Sequence, residues 1–257
     1  MVIINKRQEE ILKELDKNGH VNVADLCESL NVSTVTIRKD LNFLENENLL
    51  HRTHGGASKQ PIYAFERDLS DKEGMQVEQK KQIAKEALKY ISNSDYIILG
   101  SGSNVHYLAQ IISGFQKLTV ITPSLKVALE LSKEANVDTI QLGGDIRKSS
   151  NSAVGPISEA ILSQFSCNKL FLGADGLHLD FGLSTSNALE AHLNQAMISV
   201  AEKVIVLVDS TKMNVRGFGK ICNLDKIDVL ITDDGIDIET KTKLEEIGIE
   251  VIIASTN

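Results

Sequence analysis

Cysteine is scarce in this chain, and its placement excludes two common ways of organising a small domain. Cys27, Cys167 and Cys222 are odd in number, far apart and never in a Cys-x-x-Cys pair. A disulfide framework or zinc knuckle is therefore excluded, and the three read as reduced core or surface thiols. His51 and His54 form the closest histidine pair, but without Cys or acidic ligands beside them they make no metal site, and no cofactor is implied. Long apolar runs are also missing. Stretches such as Val204 to Val208 fall far short of the roughly 20 residues that cross a bilayer, so no membrane partner is expected. Met1 to Lys6 has only a brief apolar run and no small-residue cleavage site, which points to a cytoplasmic protein. There is no repeat of fixed period and no low-complexity tract.

Cations are in deficit too, since the net charge is −8, and phosphate repels carboxylates. The distribution qualifies this. Met1 to Gln60 carries eight Lys and Arg against nine Asp and Glu, so most of the acidity lies in the remainder. With 257 residues, 42% hydrophobic and 24% charged, the chain suits one small and one larger globular domain.

Ile11, Leu12 and Leu15 recur at helical spacing over Gln8 to Asn18, and Asn18-Gly19 supplies the stop. A short extended piece follows around His20 to Val23, then a second short helix to Leu30. Ser33 reads as the N-cap of a third helix, on which Ile37, Leu41 and Leu44 form a narrow buried stripe. Leu49 to Thr53 reads as a short strand, and Gly55-Gly56 permits a tight hairpin. Three helices with a β wing result.

At 100° per residue from Ile37, the third helix turns Val35, Lys39 and Asn42 outward, with Thr36 and Arg38 on the flanks. A capped helix with such a face can enter the major groove. Arg38 suits guanine edges or phosphate, Ser33, Thr34 and Thr36 suit phosphate or bases, and Val35 suits a thymine methyl. The pattern alone also allows Arg38 and Lys39 to pair with Asp40, Glu45 or neighbouring helices.

Val32-Ser33-Thr34-Val35-Thr36-Ile37-Arg38-Lys39-Asp40-Leu41, followed by Leu44-Glu45, Leu49-Leu50, Arg52 and His54-Gly55-Gly56-Ala57, closely resembles the N-terminal signature of the DeoR family of bacterial repressors. That resemblance implies a winged helix-turn-helix that binds a double-stranded DNA operator, with Arg38 and Lys39 facing DNA and Arg52 and His54 on the wing. Lys39 stands where Arg is commoner in the family, and an ammonium cannot make the bidentate contact of a guanidinium.

The domain boundaries read as 1–57 for the DNA-binding domain, 58–76 for a connector with Pro61 and no clear period, and 77–257 for the rest. In the last part, helical patterns alternate with β-branched runs at Tyr96 to Leu99, Leu118 to Thr122, Thr139 to Leu142, Lys169 to Leu172, Val204 to Val208, Val229 to Thr232 and Val251 to Ala254. The alternation predicts an α/β fold, a Rossmann-like and mostly parallel open sheet with both faces covered. Several strands run into Gly, Ser or Asp at their carboxyl ends, the edge where open α/β sheets bind ligands.

Gly100, Ser101, Gly102, Ser103 and Asn104 make a strand-to-helix turn whose backbone N–H groups and hydroxyls suit a phosphate. It is neither a dinucleotide fingerprint, since Val105 occupies the third-glycine position, nor a P-loop. Lys212 can supply a cation, Asp175 can accept from sugar hydroxyls, and Arg147 is a further anion contact. Read singly, Asp175 and Asp209 are equally helix caps and Lys212 a solvated charge.

The family resemblance extends over Lys6 to about Ile221, through Glu78, Lys80, Ile83-Ala84, Val154-Gly155-Pro156 and Asp209 to Lys212. It implies a sensor domain similar in fold to ribose-5-phosphate isomerase that responds to a phosphorylated sugar, with Gly100 to Asn104, Asp175 and Lys212 lining the effector pocket. Ser103-Asn104 departs from the two threonines frequent in the family. Paired DNA-binding modules imply a homo-oligomer. The main alternative is a sugar-phosphate isomerase fused to a DNA-binding segment, with Glu190 as its base, although no partner acid is evident. Another is an oligomerising domain that has lost its ligand.

Overall fold

The structure, a computed structural model, describes residues 4–47, 49–52, 55–58 and 68–255. The chain divides into two compact units, Met1–Tyr63 and Ala64–Asn257.

In the first unit, α1 (Lys6–Asn18) begins before its apolar pattern because Asn5 and Gln8 cap each other. The Asn5 side chain accepts from the Gln8 amide, and the Gln8 side chain accepts from the Asn5 amide, each at 3.0 Å. Gly19, in the left-handed region, closes the helix. β1 (His20–Asn22), α2 (Val23–Ser29) and α3 (Thr34–Asn46) follow. Ser33 caps α3 as expected, its hydroxyl accepting from the Thr36 amide at 3.3 Å. Ile37, Leu41 and Leu44 are wholly buried against Ile11, Leu15 and Leu26. β2 (His51–Arg52) is shorter than the Leu49–Thr53 strand read from the sequence, and Thr53 lies outside the described residues. β3 (Gly56–Ser58) lies between β1 and β2, antiparallel to both, so the extended piece at His20 becomes the third strand of the wing sheet.

The second unit opens with α4 (Leu69–Glu73), a one-turn helix inside the stretch that lacks sequence periodicity. The order continues with α5 (Val77–Leu88), β4 (Tyr96–Leu99), α6 (Ser103–Ala109), β5 (Leu118–Thr122), α7 (Leu125–Leu131) and β6 (Val137–Gln141). A hairpin of β7 (Asp145–Arg147) and β8 (Ser152–Val154) leads to α8 (Pro156–Leu162) and β9 (Cys167–Leu172). Next are β10 (Gly176–His178), β11 (Gly182–Thr185), α9 (Ala188–Ser199), β12 (Ala201–Leu207) and β13 (Gly219–Cys222). β14 (Val229–Asp233), α10 (Ile238–Glu246) and β15 (Glu250–Ala254) end the unit.

All seven apolar runs become strands of one parallel sheet, ordered β15-β14-β12-β9-β4-β5-β6. Side chains alternate between its faces. Ile97, Leu99, Phe171, Ile205 and Leu207 pack under α5, α6 and α7. Ile98, Leu170, Leu172, Val204 and Val206 face the opposite layer, with Leu162 of α8, Ala191 and Met197 of α9 and Leu244 of α10. Two covered faces explain why the strands read as continuous apolar runs rather than as alternating patterns. The β7–β8 hairpin and a small antiparallel sheet, β10-β11-β13, were not foreseen.

Chain order sets the position of the site. The chain enters the sheet at β4, moves outward through β5 and β6, and returns at β9 on the other side of β4. The β4/β9 border is thus the switch point, where the loops leaving adjacent strands diverge and open a crevice.

Candidate functional site

In the first unit, Ser33, Thr34, Val35, Arg38, Lys39 and Asn42 are exposed and Thr36 is half-buried, so α3 presents the side chains assigned to its outer face. Val35 is 61% exposed, which no packing role requires. The buried Asp40 faces inward instead. Its carboxylate accepts from Arg7 Nε at 2.5 Å and from Gln8 Nε2 at 3.1 Å, tying α3 to α1. Asp40 thus takes Arg7 and Gln8 of α1 as partners. Asp40→Ala removes a charged acceptor from buried surroundings, and thermal unfolding should show a loss of about 1–3 kcal/mol. The side chain of Arg52 and the whole of His54 lie outside the described residues.

In the second unit, a cavity opens at the switch point. Ser101 to Asn104 leave β4, Gly173 to Asp175 leave β9, and Asp209, Thr211 and Lys212 leave β12. Gly102 sits at φ 119°, a conformation that disfavours a side chain, and a Cβ on Gly173 would lie 3.0 Å from the Ser101 carbonyl oxygen. Two glycines therefore let the β4 and β9 loops run close together. The Ser101 and Ser152 hydroxyls lie 2.6 Å apart, joining the glycine turn to the β7–β8 hairpin.

α4 also contributes to the cavity. The Leu69 amide donates to the Ser149 carbonyl at 2.7 Å, and Lys72 Nζ meets Asp175 Oδ1 at 2.6 Å. Glu73 receives His106 at 2.7 Å and Lys126 at 2.6 Å. The buried Lys80 of α5 donates to the carbonyls of Lys72 and Met75.

Burial pulls the Lys80 ammonium down to about 8; Asp209 opposes the shift, while Lys212 and Lys72 add to it. Burial alone would push the Asp175 carboxyl up. The Lys72 ammonium and the donors of Ser186 outweigh that and hold it at about 2. Asp175 Oδ2 accepts from Thr185 Oγ1 at 3.1 Å, the Ser186 amide at 2.9 Å and the Ser186 hydroxyl at 2.8 Å. The folded protein therefore binds this proton less tightly than the unfolded chain. The stabilisation is present above the ordinary 3.8 and is lost as pH falls through about 2. A difference of this size is worth about 2 kcal/mol, so Asp175→Asn should flatten the acid limb of stability against pH.

The model of the DeoR C terminal sensor domain matches residues 75–234, and that of the DeoR-like helix-turn-helix domain matches residues 7–60. The chain belongs to the DeoR family. It is a DNA-binding transcription regulator by that membership. An HTH-type transcriptional regulator of Bacillus subtilis (strain 168), named as uncharacterized, is 36% identical over 250 residues, covering 97% of this chain and 96% of the relative. A lactose phosphotransferase system repressor of Staphylococcus epidermidis is 34% identical over 249 residues, covering 96% of this chain and 98% of the relative. A solved ribose 5-phosphate isomerase of Methanocaldococcus jannaschii is 18% identical, covering 52% of this chain and 53% of that one, with a TM-score of 0.38. That likeness is too slight to support an argument.

Of the residues the DeoR resemblance and the loop pattern nominated, Ser101, Gly102, Ser103, Asn104, Asp175 and Lys212 line the cavity. Gly100 does not; it sits one step back, its amide donating to the Phe171 carbonyl at 2.9 Å. Arg147 does not line it either, and its Nη1 meets Glu190 Oε1 at 2.7 Å. Glu190 does line the cavity, but Arg147 holds one oxygen and the Thr185 hydroxyl lies 3.2 Å from the other. Sequence reasoning missed Lys72, Ser149, Ser150, Thr185 and Asn194 as lining residues. They come from α4, the hairpin turn, β11 and α9, and none follows a strand of the main sheet. Lys80 was within reach, because it stands in the motif before β4.

Among the described residues, no group of His, Cys, Asp or Glu is arranged to hold a metal, and no helix is long and apolar enough to cross a membrane. Cys27, Cys167 and Cys222 are free, and burial raises the thiols of Cys167 and Cys222 to about 11.

Proposed function

We propose that this DeoR-family regulator represses a carbohydrate-metabolism operon in the cytoplasm, and that a phosphorylated sugar in the cavity of the second unit changes its affinity for the operator. One observation carries the reading. Buried Lys80 and the Lys212 loop meet the Ser101–Asn104 turn at the switch point, so two cations, backbone amides and hydroxyls converge on a space that suits a phosphate. A lysine near the edge of ionisation gains strongly from an incoming anion, because the anion offsets the cost of keeping the ammonium buried. The name of the lactose phosphotransferase system repressor supports a sugar-related operon as the target.

Operator titration with and without a panel of pentose and hexose phosphates tests the proposal. A sugar phosphate that binds should also raise the melting temperature, since it favours the native state by mass action. A panel that neither shifts melting nor alters operator affinity would refute it. The isomerase reading needs Glu190 free to move a proton, and Arg147 and Thr185 engage it instead.

One small DNA-binding unit offers limited contact area, so we further propose a homo-oligomer on repeated half-sites. Footprints should exceed one helical turn. A monomer by light scattering that protects a single short site at full affinity would contradict this.

A further inference from the structure

The cavity has two chemically different ends. Lys80 and Lys212 both line it, Lys212 on the loop after β12, and Lys80 feels the charges of Asp209, Lys212 and Lys72, so cations outnumber anions on this side. At the other end the Thr185 hydroxyl lies 3.1 Å from Asp175 Oδ2 and 3.2 Å from Glu190 Oε2, and Arg147 ties Glu190 to the β7–β8 hairpin. Lys72 and Arg147 neutralise these two carboxylates, so this end offers a phosphate no net positive charge while its oxygens can still accept from hydroxyls. The turn of the same hairpin carries Ser149 and Ser150 into the lining. Their hydroxyl oxygens are buried and, like Oδ1 of the 6% exposed Asn104, have no hydrogen-bond partner among the described residues. Buried polar atoms of this kind are rare in native proteins and usually signal a missing partner. Two of them stand side by side on a turn that lines the cavity, which points to a ligand that brings hydroxyls to that turn.

We infer that the β7–β8 turn is the element that reads the sugar: Ser149 and Ser150 hydrogen-bond the hydroxyl-bearing end of the ligand, while its phosphate lies toward Lys80, Lys212 and the Ser101–Asn104 turn. This rests on the sugar-phosphate reading above and deepens it by assigning the ligand's orientation and its specificity-determining residues. The hairpin is well placed for this role. The Ser149 carbonyl also receives the Leu69 amide of α4, and Ser152 meets Ser101, so the turn is held against both neighbouring walls of the cavity. A turn fixed in this way selects among sugars because a missing hydroxyl leaves a buried oxygen unpaired again.

The test compares probes with and without hydroxyls. Calorimetric or NMR titrations of the full chain with ribose 5-phosphate, glucose 6-phosphate, propyl phosphate and inorganic phosphate are run on the parent, Ser149→Ala and Ser150→Ala. Unchanged thermal unfolding of the ligand-free variants serves as the control for folding. Each serine removed should weaken the better-bound sugar phosphate roughly two- to tenfold while the affinities of propyl and inorganic phosphate stay within about twofold. Equal losses across all four probes, or no loss for the sugar phosphate, would overturn the assignment of the hydroxyl end and leave the phosphate site standing. If neither sugar phosphate binds the parent, the sugar-phosphate reading fails and this inference fails with it. A Lys212→Ala variant separates the ends from the other side, since it should weaken all four probes together.

Discussion

Arg38→Ala should abolish specific operator binding while the first unit stays folded. Arg38 is exposed on α3 beside Val35 and Lys39, outside the buried stripe of Ile37, Leu41 and Leu44. A good base contact is worth roughly 1–3 kcal/mol of discrimination, and an oligomer loses it once per DNA-binding unit. Two units would then lose about 2–6 kcal/mol, which brings a specific site close to background affinity. Lys39→Ala makes the contrast. A lysine holding phosphate should weaken specific and random DNA by similar factors and reduce the salt dependence. The measurement is operator and random-sequence titration at several salt concentrations with circular dichroism as the folding control. Near-parent specificity in folded Arg38→Ala would remove that residue from base readout.

Lys212→Ala should remove most of the effector response. Ligand and operator can influence each other only if the ligand favours one arrangement of the protein over another, and typical couplings of about 1–3 kcal/mol change affinity about five- to 150-fold. Lys212 lines the cavity on the 3-10 turn after β12, and its charge is felt by Lys80, so removing it takes away half of the cationic end. The variant's operator affinity is compared with and without the sugar phosphate that acts on the parent. A response equal to that of the parent would place the phosphate elsewhere. The direction expected for the parent is weaker operator binding with ligand.

Much of the fold was legible because its signals are local. Ile37, Leu41 and Leu44 announce a helix face through their spacing, and Ser33 caps that helix through its own hydroxyl. The seven parallel strands announce themselves because each is buried on both faces and must be apolar along its length. What escaped was short or depended on distant partners. α4 is a single turn held by Ser149, Asp175, His106 and Lys126, and none of these contacts leaves a periodic trace near residue 70. The β7–β8 hairpin is likewise too short for its alternation to stand out.

The site divides in the same way. By itself the sequence determined the capped third helix with its exposed face and the glycine turn after β4, because a cap, a stripe and a strand-to-helix turn are written in consecutive residues. It determined the family as well, through a dense run of matching positions. Only the tertiary structure decided the roles of the charged groups. Asp175 is engaged by Lys72, Thr185 and Ser186, and Arg147 turns to Glu190. Lys72 and Lys80 enter the cavity from α4 and α5. A charge takes its role from whichever opposite charge or hydrogen-bond partner the fold brings within about 3 Å, and the deciding ion pairs, Lys72 with Asp175 and Arg147 with Glu190, join residues 103 and 43 apart along the chain.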